Sequence, residues 1–331
     1  MSTAYSRPAT LVPLLLFAGL LAVPFVAQAT GQPFWTSFFT RILIYAIAAS
    51  ALNVALGFGG LVSFGHALFL GLGSYAVALP AAHGIDSGWV HLLISLGVCS
   101  LVALAVGAIS LRTSGMSFIM ITLAFAQMGY FLLVSLKQYG GDDGLAIATT
   151  SRFGAGIDLG ASPVLYGTAW VLLALLTLWV ARLRLSPFGM ALRGARQNAR
   201  RVQAIGLAPR RVQLAAFVLS GAICGLAGLL LANMNAYASP STMAWTVSGD
   251  LIVMVVLGGM GTVFGPVLGA VVFLGVEELL KGYTEHWMIV FGPLIVLMAL
   301  LGRGGLTGLL QRLHKPAAAG PVVQAIQKGH A

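Results

Sequence analysis

The chain has 331 residues, of which 59% are hydrophobic and only 8% charged, with a net charge of +10 and a mean hydropathy of +0.95. Charged residues make up about a quarter of an ordinary soluble chain, so this composition excludes a water-soluble domain. A positive balance would suggest nucleic acid in a soluble protein, but no reader domain or aromatic platform surrounds these bases.

Apolar segments recur along the chain and predict an all-α polytopic membrane protein with about 8–10 transmembrane helices. Ten candidate spans lie at about 11–29, 38–56, 61–80, 90–110, 115–137, 163–181, 212–233, 244–257, 263–280 and 286–303. The first, with Arg7 ahead of it and Ala27-Gln28-Ala29 at its end, has the form of a signal peptide. We read it as a retained helix, because further spans follow and alternation works either way. The segment 244–257 is short and begins with polar residues, which predicts a broken or re-entrant helix. Residues 1–303 are read as one transmembrane domain. Residues 304–331, rich in Ala, Gly and Pro, are read as a disordered cytoplasmic tail.

Charge sets the orientation. With the 182–211 loop in the cytoplasm, alternation puts its eight arginines there with Arg7, Arg112, Arg303, Arg312, Lys315 and Lys328. The far side keeps Arg41, Lys137, Arg152 and Lys281 among the bases, together with all eight acids. Lys and Arg favour cytoplasmic loops, so one parity across the chain supports this topology.

Two glycine-rich stretches break the plain hydrophobic pattern. One runs from Gly57 to His66 (GFGGLVSFGH) and the other from Leu257 to Pro266 (LGGMGTVFGP). Their shared G-G-[LM] ahead of Phe-Gly hints at duplicated halves. Glycines here let helices unwind and backbones approach one another, or serve ordinary close packing. His66, with Ser63 and Gly65 beside it, is a candidate for the translocation path, because an ionisable group within a span is functional by default. A neutral, hydrogen-bonded histidine at a helix end is the alternative. Asn53 and Gln127 are polar residues within spans that either face the path or join helices.

Cys99 and Cys224 sit in apolar segments, with neither a disulfide pattern nor metal-ligand spacing. No catalytic or metal site is read. No Asp, Glu or Lys lies deep in a firmly assigned span, Glu277 and Glu278 falling near an outer end, whereas ion-coupled carriers usually need such groups. It also lacks the G-x-x-x-x-G-K-[ST] loop of an ATPase and any hydrolase motif. Active transport by this chain would therefore need a partner as its energy source.

The loop RLRLSPFGMALRGARQNARRVQAIGLAPRR (182–211) reads as an amphipathic helix. Ser186 and Pro187 supply an N-cap and an N1 proline, and Gly206 with Pro209 a stop. Phe188, Leu192, Ala195, Ala199 and Val202 form one apolar stripe. Gly194 weakens the middle, so two short helices are an alternative. The arginines rest on anionic lipid or face a partner.

Taken in order, ALNVALGFGGLVSFGHALFLGLGSY, SGMSFIMITLAFAQM (114–128), GGDDGL (140–145), SPFGMALRGARQNARRVQAIGL (186–207) and VVLGGMGTVFGPVLGA (255–270) resemble LivM-type permeases. These are membrane subunits of bacterial branched-chain amino-acid ABC importers. The resemblance covers about residues 38–302.

The resemblance implies a second, LivH-like permease subunit, two cytoplasmic ATP-binding subunits and an external solute-binding protein, all in the bacterial inner membrane or docked on it. It implies that ATP is bound by the partner and that this chain holds no cofactor of its own. Segment 187–206 corresponds to the cytoplasmic coupling helix, with Arg193, Asn198, Arg200, Ala204 and Gly206 as docking candidates. Relatives often carry acid in this stretch, whereas Gln197-Asn198-Ala199 is neutral here. Urea and short-chain amide permeases share the same motifs and form the alternative reading; a stand-alone secondary carrier is a weaker one.

Overall fold

A computed structural model describes residues 16–24, 27, 31–154, 157–283, 286, 288–293, 296 and 305–308. The described chain is almost entirely helical. In order it forms α1 (Pro33–Asn53), α2 (His66–Ala82), α3 (Gly88–Ser110), α4 (Met116–Ser135), α5 (Ser162–Leu185), α6 (Pro187–Ala204), α7 (Pro209–Asn235), α8 (Trp245–Gly258) and α9 (Gly265–Tyr283). Helices thus stand at the second through ninth predicted spans. The tenth, 286–303, lies largely outside the described residues. So does most of the first, although residues 16–24 are helical and pack on α5, where the Trp170 indole donates to the Phe17 carbonyl at 3.2 Å.

Five of these helices (α1 with its extension to Phe58, α3, α4, α5 and α7) are long and apolar enough to cross a membrane. Helix α2 is shorter, and α8, at 14 residues, spans roughly 21 Å against a hydrocarbon core of about 30 Å. The break expected around 244–257 is therefore real. It continues as the non-helical turn 259–264, which is partly covered, with Gly259 and Val263 buried and Met260 exposed.

Helix α1 runs through the centre, with 89% of its apolar window buried, whereas α4 buries only 22%. The outward faces of α3, α4 and α5 carry exposed Leu93, Leu101, Met120, Phe131 and Leu175, as lipid-facing helices do.

Close backbone approach holds the centre together. A Cβ at Gly73 of α2 would lie 2.0 Å from the Gly225 carbonyl oxygen of α7, and one at Gly228 would lie 1.9 Å from that of Leu70. Ser74 of α2 donates to the Gly228 carbonyl at 2.9 Å, joining the same two helices. Without a hydrophobic driving force between helices in lipid, such contact between small residues is what binds them. Cys99 and Cys224 are free and buried in this packing, their thiols directed at the carbonyls of Phe69 and His66.

The loops sort to two ends, as alternation requires. At one end the segment 54–65 and the turn 259–264 meet α6, and Gly107 near the close of α3 meets Leu214 near the start of α7. At the other, Leu145–Ala146 pairs antiparallel with Tyr237–Ala238, and Arg152 bridges Asp86 at 3.6 Å and Asp158 at 3.3 Å.

Most of the tail expected to be disordered lies outside the described residues. Its beginning, 305–308, is a helical turn packed on the second glycine-rich segment, where the Thr307 hydroxyl donates to the Gly258 carbonyl at 3.0 Å. The sequence there lacks periodicity, but Gly305 permits a contact too close for any side chain: a Cβ would lie 2.5 Å from Gly259.

Candidate functional site: two glycine-rich loops and the helix against them

Helix α1 does not end cleanly. After Asn53 it widens into one π-helical turn, Val54–Phe58. Such turns are frequent at functional sites. Leu61 N–H, which an α-helix would direct to Gly57, donates instead to Ala55 at 3.0 Å, and Gly60 N–H goes to Leu56 at 3.0 Å. The carbonyl of Gly57 is left without a backbone partner.

From here the chain runs irregularly to Gly65 and starts α2 at His66. Side chains of distant helices hold this run. Phe64 N–H donates to Thr122 Oγ1 of α4 at 3.2 Å. Ser248 of α8 donates to the Phe64 carbonyl at 2.7 Å and accepts from Ala67 N–H at 2.9 Å, capping α2 from another helix. Ser63 folds onto its own loop, accepting from Gly65 N–H at 3.1 Å. Thr122 packs tightly beside Gly65, where a Cβ would lie 3.2 Å from its carbonyl oxygen.

His66 is fully buried. Its Nε2 lies 2.7 Å from Ser220 Oγ, and the Ser220 hydroxyl donates to the Ala51 carbonyl at 2.6 Å. A hydroxyl has one proton to give, so the imidazole is the donor and carries its hydrogen on Nε2. Phe69 and Phe217 stand edge-on to the ring at 5.7 Å each. The ring therefore sits behind the glycine-rich loop, joining α1, α2 and α7.

Asn53 is also buried, and it joins the two glycine-rich stretches. Its amide donates to the Thr262 carbonyl at 2.8 Å and its carbonyl accepts from Gly261 N–H at 2.9 Å. Of the five path candidates, Asn53, Ser63, Gly65 and His66 thus gather around one junction. Gln127 stands apart on α4, half-buried, with no hydrogen-bond partner among the described residues.

Against this junction lies α6. Ser186 caps it, accepting from Gly189 N–H at 3.1 Å, and Gly206 (φ +85°) follows its end, as the sequence predicts. Leu192, Ala195 and Val202 of the apolar stripe are buried. Ala199 is exposed, because the helix breaks at Asn198 (φ −158°, ψ 98°) rather than at Gly194. Asn198 Oδ1 accepts from Arg201 N–H at 3.1 Å and so restarts the helix as a cap. Gly194 makes room for the returning half, with Val202 Cγ2 3.1 Å from where its Cβ would be.

The docking candidates divide accordingly. Arg200, Ala204 and Gly206 are exposed, and Asn198, also exposed, uses its side chain in the cap. Arg193 turns inward, donating to the Arg184 carbonyl at 2.7 Å and the Gly189 carbonyl at 3.3 Å. Sequence reading passed over Arg196, which donates to the orphaned Gly57 carbonyl. It also passed over Thr122, Ser220 and Ser248. For these three the available signal was a polar side chain within an apolar span, the same signal that singled out Asn53. Nothing in the sequence separates Arg196 from its neighbours.

Taken together, the broken apolar helices, the glycine junction and the amphipathic helix outside it are those of a polytopic membrane protein of permease type. Comparison with known proteins fixes the family: the one described as "Branched-chain amino acid transport system / permease component" matches residues 34–299. The chain belongs to that family and is a permease subunit of an ABC importer.

It is 29% identical over 315 residues to the high-affinity branched-chain amino acid transport system permease protein LivM of Escherichia coli K12, covering 87% of this chain and 74% of LivM. LivH of the same strain is 26% identical, over 80% of this chain and 91% of LivH. The autoinducer 2 import system permease protein LsrC of an Enterobacter strain is 26% identical, over 89% and 88%. No solved structure matches significantly.

Proposed function

We propose that the chain imports branched-chain or other hydrophobic amino acids by alternating access, driven by a separate cytoplasmic ATPase. The observation that carries this reading is the placement of α6. One face is buried on the membrane domain through Leu192, Ala195 and Val202, while Arg200, Arg201, Gln203 and Ala204 are exposed on the other. The likeness to the LivM and LivH transport permeases supports the substrate class.

In this reading α6 is the coupling helix and two ATP-binding subunits dock on it. ATP belongs to them, and the chain needs no cofactor of its own. A LivH-like permease completes the pathway and an external binding protein delivers substrate. The end of the fold that carries α6, together with the C-terminus, faces the cytoplasm, and lipid surrounds α3 to α5. Asn53, Ser63, Gly65 and His66 shape the inner junction of the path, and Gln127 faces the passage or the companion permease. ATP binding must favour one of two access states, since only differential affinity shifts such an equilibrium.

The test is reconstitution of the chain with its companion permease, ATPases and binding protein in proteoliposomes. Leucine uptake should require internal ATP and survive collapse of ion gradients. Uptake that persists without ATP and stops when the gradients collapse would make the chain a secondary carrier. Uptake of urea instead of leucine would reassign the substrate.

A further inference from the structure

We infer that Arg196 is the positioning residue that transmits movement of α6 to both glycine-rich loops at once. This deepens the proposed function and rests on it.

The geometry isolates one side chain. The π-turn diverts Leu61 N–H to Ala55, so the buried Gly57 carbonyl has no backbone donor, and a guanidinium N–H of Arg196 supplies one. A carbonyl withdrawn from the backbone ladder needs a donor, and Arg196, although exposed along its length, supplies it.

The aliphatic stem of Arg196 lies along Gly60 (φ +71°), with Cγ 2.8 Å and Cδ 3.3 Å from where a Cβ would be. Its Nη1 lies 3.7 Å from the corresponding position at Gly261 of the second loop. Those two loops are already tied to each other by Asn53. Asn53 also fills the space at Gly57, where a Cβ would meet its Oδ1 at 2.0 Å.

One continuous chain of contacts therefore runs from α6 through Arg196 to Gly57 at the end of α1. It then passes through Asn53 to the Gly261–Thr262 turn between α8 and α9. Thr262 carries it into α9, because its hydroxyl accepts from Gly265 N–H at 3.0 Å. A displacement of α6 thus moves the inner ends of α1, α2, α8 and α9 as a set, the four elements that meet at the junction. The neighbouring arginines are placed differently: Arg193 bonds the carbonyls of Arg184 and Gly189, and Arg200 and Arg201, exposed as Arg196 is, make no side-chain hydrogen bond among the described residues. Arginine suits the place because its fork keeps several donors in fixed directions, whereas lysine offers one point charge.

The experiment is carried out on the complete complex, reading substrate uptake, ATP hydrolysis and co-purification of the ATPase. Arg196→Ala should leave the ATPase bound and hydrolysing. The ratio of uptake to hydrolysis should fall on the order of tenfold, within the range coupling free energies span. Arg196→Lys should fall between Arg196→Ala and the wild type. An unchanged ratio in Arg196→Ala overturns the proposal. So does loss of the ATPase from that variant, which would make Arg196 a docking contact. If the wild-type complex itself shows no ATP-dependent uptake, the proposed function fails, and the two failures are told apart by that control.

Discussion

The amide of Asn53 and the backbone of Gly261, 208 residues apart in sequence, share a hydrogen bond of 2.9 Å at the meeting point of the two glycine-rich loops. With the companion bond from Asn53 to Thr262 it closes the inner ends of α1 and α9 on each other. Asn53→Ala leaves a half-buried N–H and a half-buried C=O unpaired, at up to about 1–3 kcal/mol for each. The expected result is a markedly lower melting temperature of the purified complex. Asn53→Asp keeps the acceptor but loses the donor and buries a charge, so it should be at least as damaging. A melting temperature within a degree of wild type for both variants would contradict the assignment.

The α2–α7 contact makes a second, sharper prediction. Gly73→Ala and Gly228→Ala place a methyl far inside van der Waals contact with a carbonyl oxygen, at 2.0 and 1.9 Å, and the obstacle is backbone that cannot turn aside. Neither variant should accumulate in the membrane. Gly167→Ala and Gly275→Ala, which meet nothing within 4 Å, should accumulate as wild type does. Quantified membrane yield of the four variants is the measurement, and equal yields would refute the close packing.

The spans were legible because apolar length is a local property of the sequence. The start and stop of α6 were legible too, since Ser186-Pro187 and Gly206 act within one turn. What stayed hidden was relational. Gly194 looked like the weak point of α6 by propensity, yet the break falls at Asn198, whose side chain caps the following turn. His66 invited a role in the path by being ionisable in a span. Its engagement depends on Ser220, 154 positions away, whose hydroxyl in turn reaches Ala51 across 169 positions. Arg196 was one arginine among eight, and only the π-turn, by withholding a donor from Gly57, marks it out.

The loop at the opposite end from α6 should respond to acid. Asp158 accepts from Gly160 N–H and the Thr150 hydroxyl, each at 2.8 Å, and pairs with Arg152. The Gly160 N–H, then Thr150, then Arg152 hold its carboxyl below the usual aspartate value. A lowered folded value means the stabilisation is complete above the unfolded value, about 3.9, and is lost as pH falls through the folded one. Protection of residues 137–161 from proteolysis should therefore hold at neutral pH and fall below about pH 4. Asp158→Asn should remove that pH dependence. Proteolysis independent of pH in the wild type would dispose of this role.

Arg193 and Arg200 lie on the same short helix, and their surroundings predict opposite consequences. Arg193 bonds the carbonyls of Arg184 and Gly189 and so stitches the end of α5 to the first turn of α6. Hydrogen bonds from a charged group are worth about 1.5–3 kcal/mol, less where water reaches them. Arg193→Glu should consequently lower the melting temperature of the permease purified without its ATPase. Arg200 is exposed beyond the break at Asn198. A surface substitution there stays within about 0.5 kcal/mol in stability, so Arg200→Glu should melt as wild type does. If a complementary, acid-lined partner groove receives this face, charge reversal meets like charge, and Arg200→Glu should weaken co-purification of the ATPase several-fold at low salt. Raising the ionic strength should narrow that difference, because exposed charges are screened beyond about 10 Å at 0.1 M. Should Arg193→Glu rather than Arg200→Glu lose the ATPase at unchanged melting temperature, the docking face would have to be moved to the other side of α6.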